Sequence, residues 1–133
     1  MIIGFKERFV DKIKSGTKIH TIREDKHDRW SEGRKIYLAT GVRTKNYQQF
    51  AEKTCTGTQK ISIRYYDNKQ RVRITIDDRF FGTAFYDQGR ISYYVSELED
   101  LARNDGFDSV DEFFQWFHKD FAGKIIHWTQ LKY

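Results

Sequence analysis

Two hydrophobic periods alternate along this chain, and the switches between them predict its elements. Phe5, Phe9, Val10 and Ile13 fall on one helical face, and Ser15-Gly16 supplies the left-handed stop expected after a last turn. Beyond Gly33 the period becomes two. A strand is expected over Lys35 to Thr40, and Ile61, Ile63 and Tyr65 alternate with Lys60, Ser62 and Arg64. Asp67-Asn68-Lys69 reads as a hairpin turn. The returning strand sets Val72, Ile74 and Ile76 against Arg71, Arg73 and Thr75, which gives one apolar and one basic face. A second hairpin is expected at Asp87-Gln88-Gly89.

Helical spacing then returns. Ser96 with Glu99 and Ser109 with Glu112 each place a hydroxyl three residues before a glutamate, the pattern of a capping box. The first of the two helices buries Leu98, Leu101 and Ala102 and ends by Gly106, while the second repeats Val110, Phe113, Phe114, Phe117 and Phe121 as a core stripe. A last strand is expected from Lys124 to Leu131, after Gly123. Strands in the middle and end with helices at three points define an α+β class, a small antiparallel-rich β-barrel. In that arrangement the strands near Lys35, Ile61, Val72 and Ile125 join one curved barrel, and Leu101, Phe113 and Phe117 cover its apolar surface.

Composition narrows the picture. With 133 residues, no proline and no linker-like tract, the chain reads as one domain spanning 1–133. Aromatic residues make up 17% of it, so rings supply much of the buried area. Its single cysteine, Cys55, has no partner for an internal disulfide or a structural zinc site, and no apolar run is long enough for a bilayer. A soluble protein of the reducing cytoplasm is the expectation. The net charge of +5 biases it toward polyanions.

Candidate chemistry concentrates in Gly16-Thr17-Lys18-Ile19-His20-Thr21-Ile22-Arg23-Glu24-Asp25, directly after the first helix. The segment offers a base, a nucleophile and an anion clamp, or an ordinary solvated connection. In a regular strand Lys18 and Thr21 point to opposite faces, so they cooperate only if a turn or bulge falls between them. A second candidate is the basic face of Lys60, Arg64, Arg71 and Arg73, where like charges repel unless carboxylates or a bound anion intervene. A phosphate backbone is one such anion, and a wet sheet face is the alternative. Trp30, Tyr65, Tyr66 and Trp128 are candidates for stacking bases or for the core. His20, His27, His118 and His127 show no zinc-like spacing, so no metal is expected. The glycine and nucleophile motifs of NTPases, Rossmann enzymes and esterases are absent, and no cofactor is implied.

The run Gly16-x-Lys18-x-x-Thr21-x-Arg23 resembles the segment most shared among ASCH domains. Gly33-x-Lys35-Ile36, Asp105-Gly106-Phe107, Phe113-Phe114-x-Trp116-Phe117 and Gly123 to Trp128 follow in the order that family shows. The resemblance implies a PUA-like β-barrel with helices packed at its openings. It also implies RNA or a modified nucleoside as partner, with three readings of the activity. One is an amidohydrolase that removes the acetyl group from the exocyclic amine of acetylcytidine. The others are a non-catalytic RNA-binding module and a ribonuclease, for which His20 with Lys18 and Arg23 are the candidate groups. On the amidohydrolase reading the working lysine and threonine are Lys18 and Thr21, and the family's glutamate falls at Asp105, one methylene shorter. Arg23 is the candidate clamp.

Overall fold

A six-stranded sheet curls around the core in the computed structural model, which describes residues 1–133. In chain order the strands are β1 (Ile2–Gly4), β2 (His20–Arg23), β3 (Lys35–Thr40), β4 (Gln48–Thr54), β5 (Gly57–Tyr66), β6 (Arg71–Ile76), β7 (Arg79–Asp87), β8 (Arg90–Tyr94) and β9 (Phe121–His127). The large sheet runs β2-β9-β5-β6-β7-β8 and every pair in it is antiparallel. Three short helices complete an α+β fold: α1 (Val10–Lys14), α2 (Glu97–Asn104) and α3 (Val110–Trp116).

The β5–β6 hairpin follows from its alternation. Ile61 faces Ile76, Ile63 faces Ile74 and Tyr65 faces Val72, and Ile61, Ile63, Val72 and Ile74 are all fully buried. Asp67, Asn68 and Lys69 turn the chain with φ of 53°, 58° and 67°. A further hairpin at Asp77-Asp78 joins β6 to β7, again with both residues left-handed. Lacking Asn-Gly or Asp-Gly, it is weakly signalled in the sequence, although aspartate tolerates that region.

Four expectations are corrected. The strand at Lys35 does not join the large sheet; β3 pairs in parallel with β1 and antiparallel with β4 in a second, three-stranded sheet. Phe121 does not extend the α3 stripe, because Phe117 leaves helical geometry at ψ 68° and Phe121 pairs with Ile63 at the start of β9. The closing strand is accordingly Phe121–His127, with Gly123 inside it rather than before it. Ser96 makes no side-chain cap; the Glu99 amide bonds its carbonyl at 3.0 Å and the Glu99 carboxylate accepts the Tyr94 hydroxyl at 2.5 Å. Ser109, by contrast, caps α3 by accepting the Glu112 amide at 3.1 Å.

A single cluster of 26 buried residues fills the space between sheets and helices. Trp30 and Trp128 belong to it, at 8% and 9% exposure, which removes them as base-stacking platforms. Tyr65 also faces inward and donates its hydroxyl to the Phe117 carbonyl. No helix is long and apolar enough to cross a membrane.

Candidate functional site

Lys18 reaches its position because the chain has not yet entered the sheet. The amides of Thr17 and Lys18 both bond the Lys12 carbonyl, and Ile19 bonds the Asn104 carbonyl at the end of α2, before β2 starts at His20. The strand alternation that would separate Lys18 from Thr21 therefore does not apply across this loop. Both side chains, each 3% exposed, line one pocket of about 380 Å³. Asp105, which follows the last turn of α2 and is equally buried, lines it too. Phe5, Phe9, Phe107 and Trp116 form much of the apolar wall.

The polar groups are tightly connected. The Lys18 ammonium donates to the Asp105 carbonyl at 2.5 Å and to Asp105 Oδ1 at 3.0 Å. Its stem crosses the face of Gly106, whose φ of +93° and lack of a side chain are both needed; a Cβ there would sit 2.8 Å from Lys18 Cδ. Arg23 donates through Nε to the Thr21 hydroxyl at 3.1 Å and through Nη2 to the Gly4 carbonyl at 2.8 Å, with its guanidinium over the Phe5 ring. The Thr21 oxygen thus accepts a charge-assisted bond while its own proton remains free to leave.

His20 is placed behind the pocket rather than in its wall. It is fully buried, with Nδ1 3.3 Å from Asp105 Oδ1 and Nε2 2.6 Å from the Tyr133 hydroxyl. An ionised carboxylate only accepts, so Nδ1 carries the proton and Nε2 accepts from Tyr133, whose oxygen in turn accepts from Asn104 at 3.0 Å. Burial keeps His20 below its ordinary pKa, against the pull of Asp105. Burial likewise lowers the Lys18 pKa, opposed by the Asp105 carboxylate. For Asp105 burial acts upward, but Lys18 and His20 outweigh it and hold the carboxyl below the usual range. The resting site is an ion pair whose ammonium burial holds below its ordinary pKa.

The basic face lies elsewhere. Arg64 stands directly opposite Arg73 on the outer side of β5 and β6, Arg71 occupies the next row, and Lys60 pairs with Asp78 at 3.0 Å. None of the four lines the pocket. Tyr133, Asn104 and the aromatic wall are site components that the sequence reading missed; the partners of Lys18 and His20 lie 85 or more residues away in the chain. Cys55 is buried, and no group of three or more His, Cys, Asp or Glu side chains is arranged to hold a metal ion.

No known protein family, curated protein or solved structure matches this chain.

Proposed function

We propose that the chain is an ASCH-type domain on a PUA-like barrel, and that its pocket hydrolyses an acyl amide on the exocyclic amine of a modified pyrimidine nucleoside. One observation carries the reading: a buried Lys18–Asp105 ion pair opens onto the same pocket as a Thr21 hydroxyl already bonded by Arg23. The volume of about 380 Å³ suits one nucleoside, and the aromatic wall suits a flat base.

Substrate entry expels water and lowers the Lys18 pKa further, so its proton passes to Asp105 across the 3.0 Å contact. Neutral Lys18 then takes the hydroxyl proton as Thr21 Oγ1 attacks the amide carbonyl. Arg23 offsets the charge on the oxyanion. Protonated Asp105 gives its proton to the departing nitrogen, leaving an acyl ester on Thr21. For deacylation Lys18 passes its proton to Asp105 once more, takes a proton from the attacking water and returns it to Thr21 Oγ1 as the ester breaks. The acid leaves, and Asp105 gives its proton back to Lys18, which restores the pair.

The ribonuclease reading loses its acid–base pair here, because both nitrogens of His20 are occupied within the protein. Mass-spectrometric turnover of a panel of acylated nucleosides, acetylcytidine included, tests the proposal. Lys18→Ala and Thr21→Val are expected to lose at least a hundredfold in kcat while remaining folded. Wild-type rates in either variant end the hydrolase mechanism, and saturable nucleoside binding without turnover by the parent leaves a binding module in its place.

A further inference from the structure

The outer face of β5 to β8 joins the basic face of the β5–β6 hairpin to exposed rings on β7 and β8 that no local sequence pattern announces. Cross-strand register aligns Tyr66 with Arg71, Arg71 with Phe85, and Phe85 with Tyr93, so four strands present one continuous line. The three rings are 40%, 40% and 60% exposed, whereas the inner row behind them, Tyr65, Val72, Ala84 and Tyr94, packs on the core. Arg64 and Arg73 form a neighbouring row, and beyond it Phe80 is 53% exposed beneath the Arg73 guanidinium at 4.8 Å.

Exposed rings on a sheet are normally avoided, because they invite aggregation at no gain in stability. Here they are interleaved with arginines. Arg71 stacks on Tyr66 at 5.0 Å, and the carboxylates near the cations are few: Asp67, 3.7 Å from Arg71, and Asp78, 3.0 Å from Lys60. Flat π-faces beside cations, of which Arg64 and Arg73 have no carboxylate partner, match a strand of bases alternating with phosphates. A second copy of the chain fits poorly, since a two-fold contact through this face brings the same arginines against each other.

We propose that this face is a binding platform for single-stranded nucleic acid, with bases stacked on Tyr66, Phe85 and Tyr93 and phosphates held by Arg64, Arg71 and Arg73. It is separate from the Lys18 pocket and stands whether or not that pocket is catalytic.

Fluorescence anisotropy with labelled twelve-residue oligouridine and oligothymidine tests it. Phe85→Ala and Tyr93→Ala are each expected to weaken binding about tenfold. Arg64→Ala with Arg73→Ala is expected to flatten the slope of log affinity against log salt by about 1.4, two phosphates at ~0.7 each. Gln49→Ala, exposed on β4 in the other sheet, binds like the parent. Preference for oligouridine adds recognition of the 2′-hydroxyl, and equal binding confines recognition to base and phosphate; both support the platform. No binding to either oligomer, affinity indifferent to both ring removals, or equal competition by polyglutamate of matched charge overturns it. So does sedimentation showing that the rings mediate dimerisation instead.

Discussion

The two ends of the large sheet's inner face solve burial in opposite ways. Under β5, β6 and β7 it is almost purely aliphatic: Ile61, Ile63, Val72, Ile74 and Ala84 pack on α2 and α3 with no polar group to satisfy. Toward β2 and β9 the same face buries His20, His127 and Gln59, tied through Tyr133 and Asp105 to Lys18. Apolar packing stabilises wherever it is placed, whereas a buried charged network contributes little net stability and is strongly destabilising when one member is removed. On the proposed reading, this network next to the pocket is kept for chemistry rather than for stability.

The largest expected effect breaks the polar end directly. Asp105→Ala strands the Lys18 ammonium in the interior and is expected to cost about 3–5 kcal/mol in denaturant unfolding. Adding Lys18→Met removes the stranded charge and should recover most of that loss without recovering turnover. A double variant as unstable as the single one would erase the contrast between the two ends.

At the aliphatic end, Ile74→Ala leaves a cavity at a fully buried position and is expected to cost about 2–5 kcal/mol. Turnover measured well below the melting temperature should stay at the parental level, since the lesion lies outside the pocket. Loss of activity in the still-folded variant would show that the ends are coupled.

Gly106→Ala sharpens the boundary between them. The left-handed φ and the contact with the Lys18 stem together predict about 1–3 kcal/mol of destabilisation, with Lys18 displaced and turnover reduced more than at Ile74.

The smallest effect is in pH. His127, fully buried with Nδ1 unpartnered, has its pKa pushed down to about 3 by burial first and by His20 next. Below pH 6.5 the unfolded chain takes up the proton and the folded one does not, so stability falls as pH falls from 6.5 toward 3. At pH 5.5 this amounts to about 1 kcal/mol, and His127→Gln should flatten the melting temperature between pH 7 and 5.5. His20, also held below its ordinary value, acts with the same sign. Stability that rises on acidification over this range contradicts buried neutral histidines.

The sequence alone determined the elements whose signals are local. Alternation marked β5 and β6, the Ser109 hydroxyl marked the start of α3, and the polar run after α1 marked Lys18, Thr21 and Arg23 as candidates, whose convergence on one pocket only the fold decided. It failed where the signal was local but its continuation was not. Phe121 kept helical spacing with Phe117 although the chain had already turned into β9, and β4, with Gln48, Gln49, Glu52 and Lys53 exposed or half-buried, shows no period at all. What only the tertiary structure decided is every relation between distant residues: β3 in its own sheet, Tyr133 bonded to His20, and four strands in register across the outer ring-and-arginine row. Periodicity reports which side of an element is buried, because that depends on neighbours a few residues away. Which buried surface meets which, and hence what Lys18 touches, depends on packing the whole chain at once, and no window along the sequence contains that information.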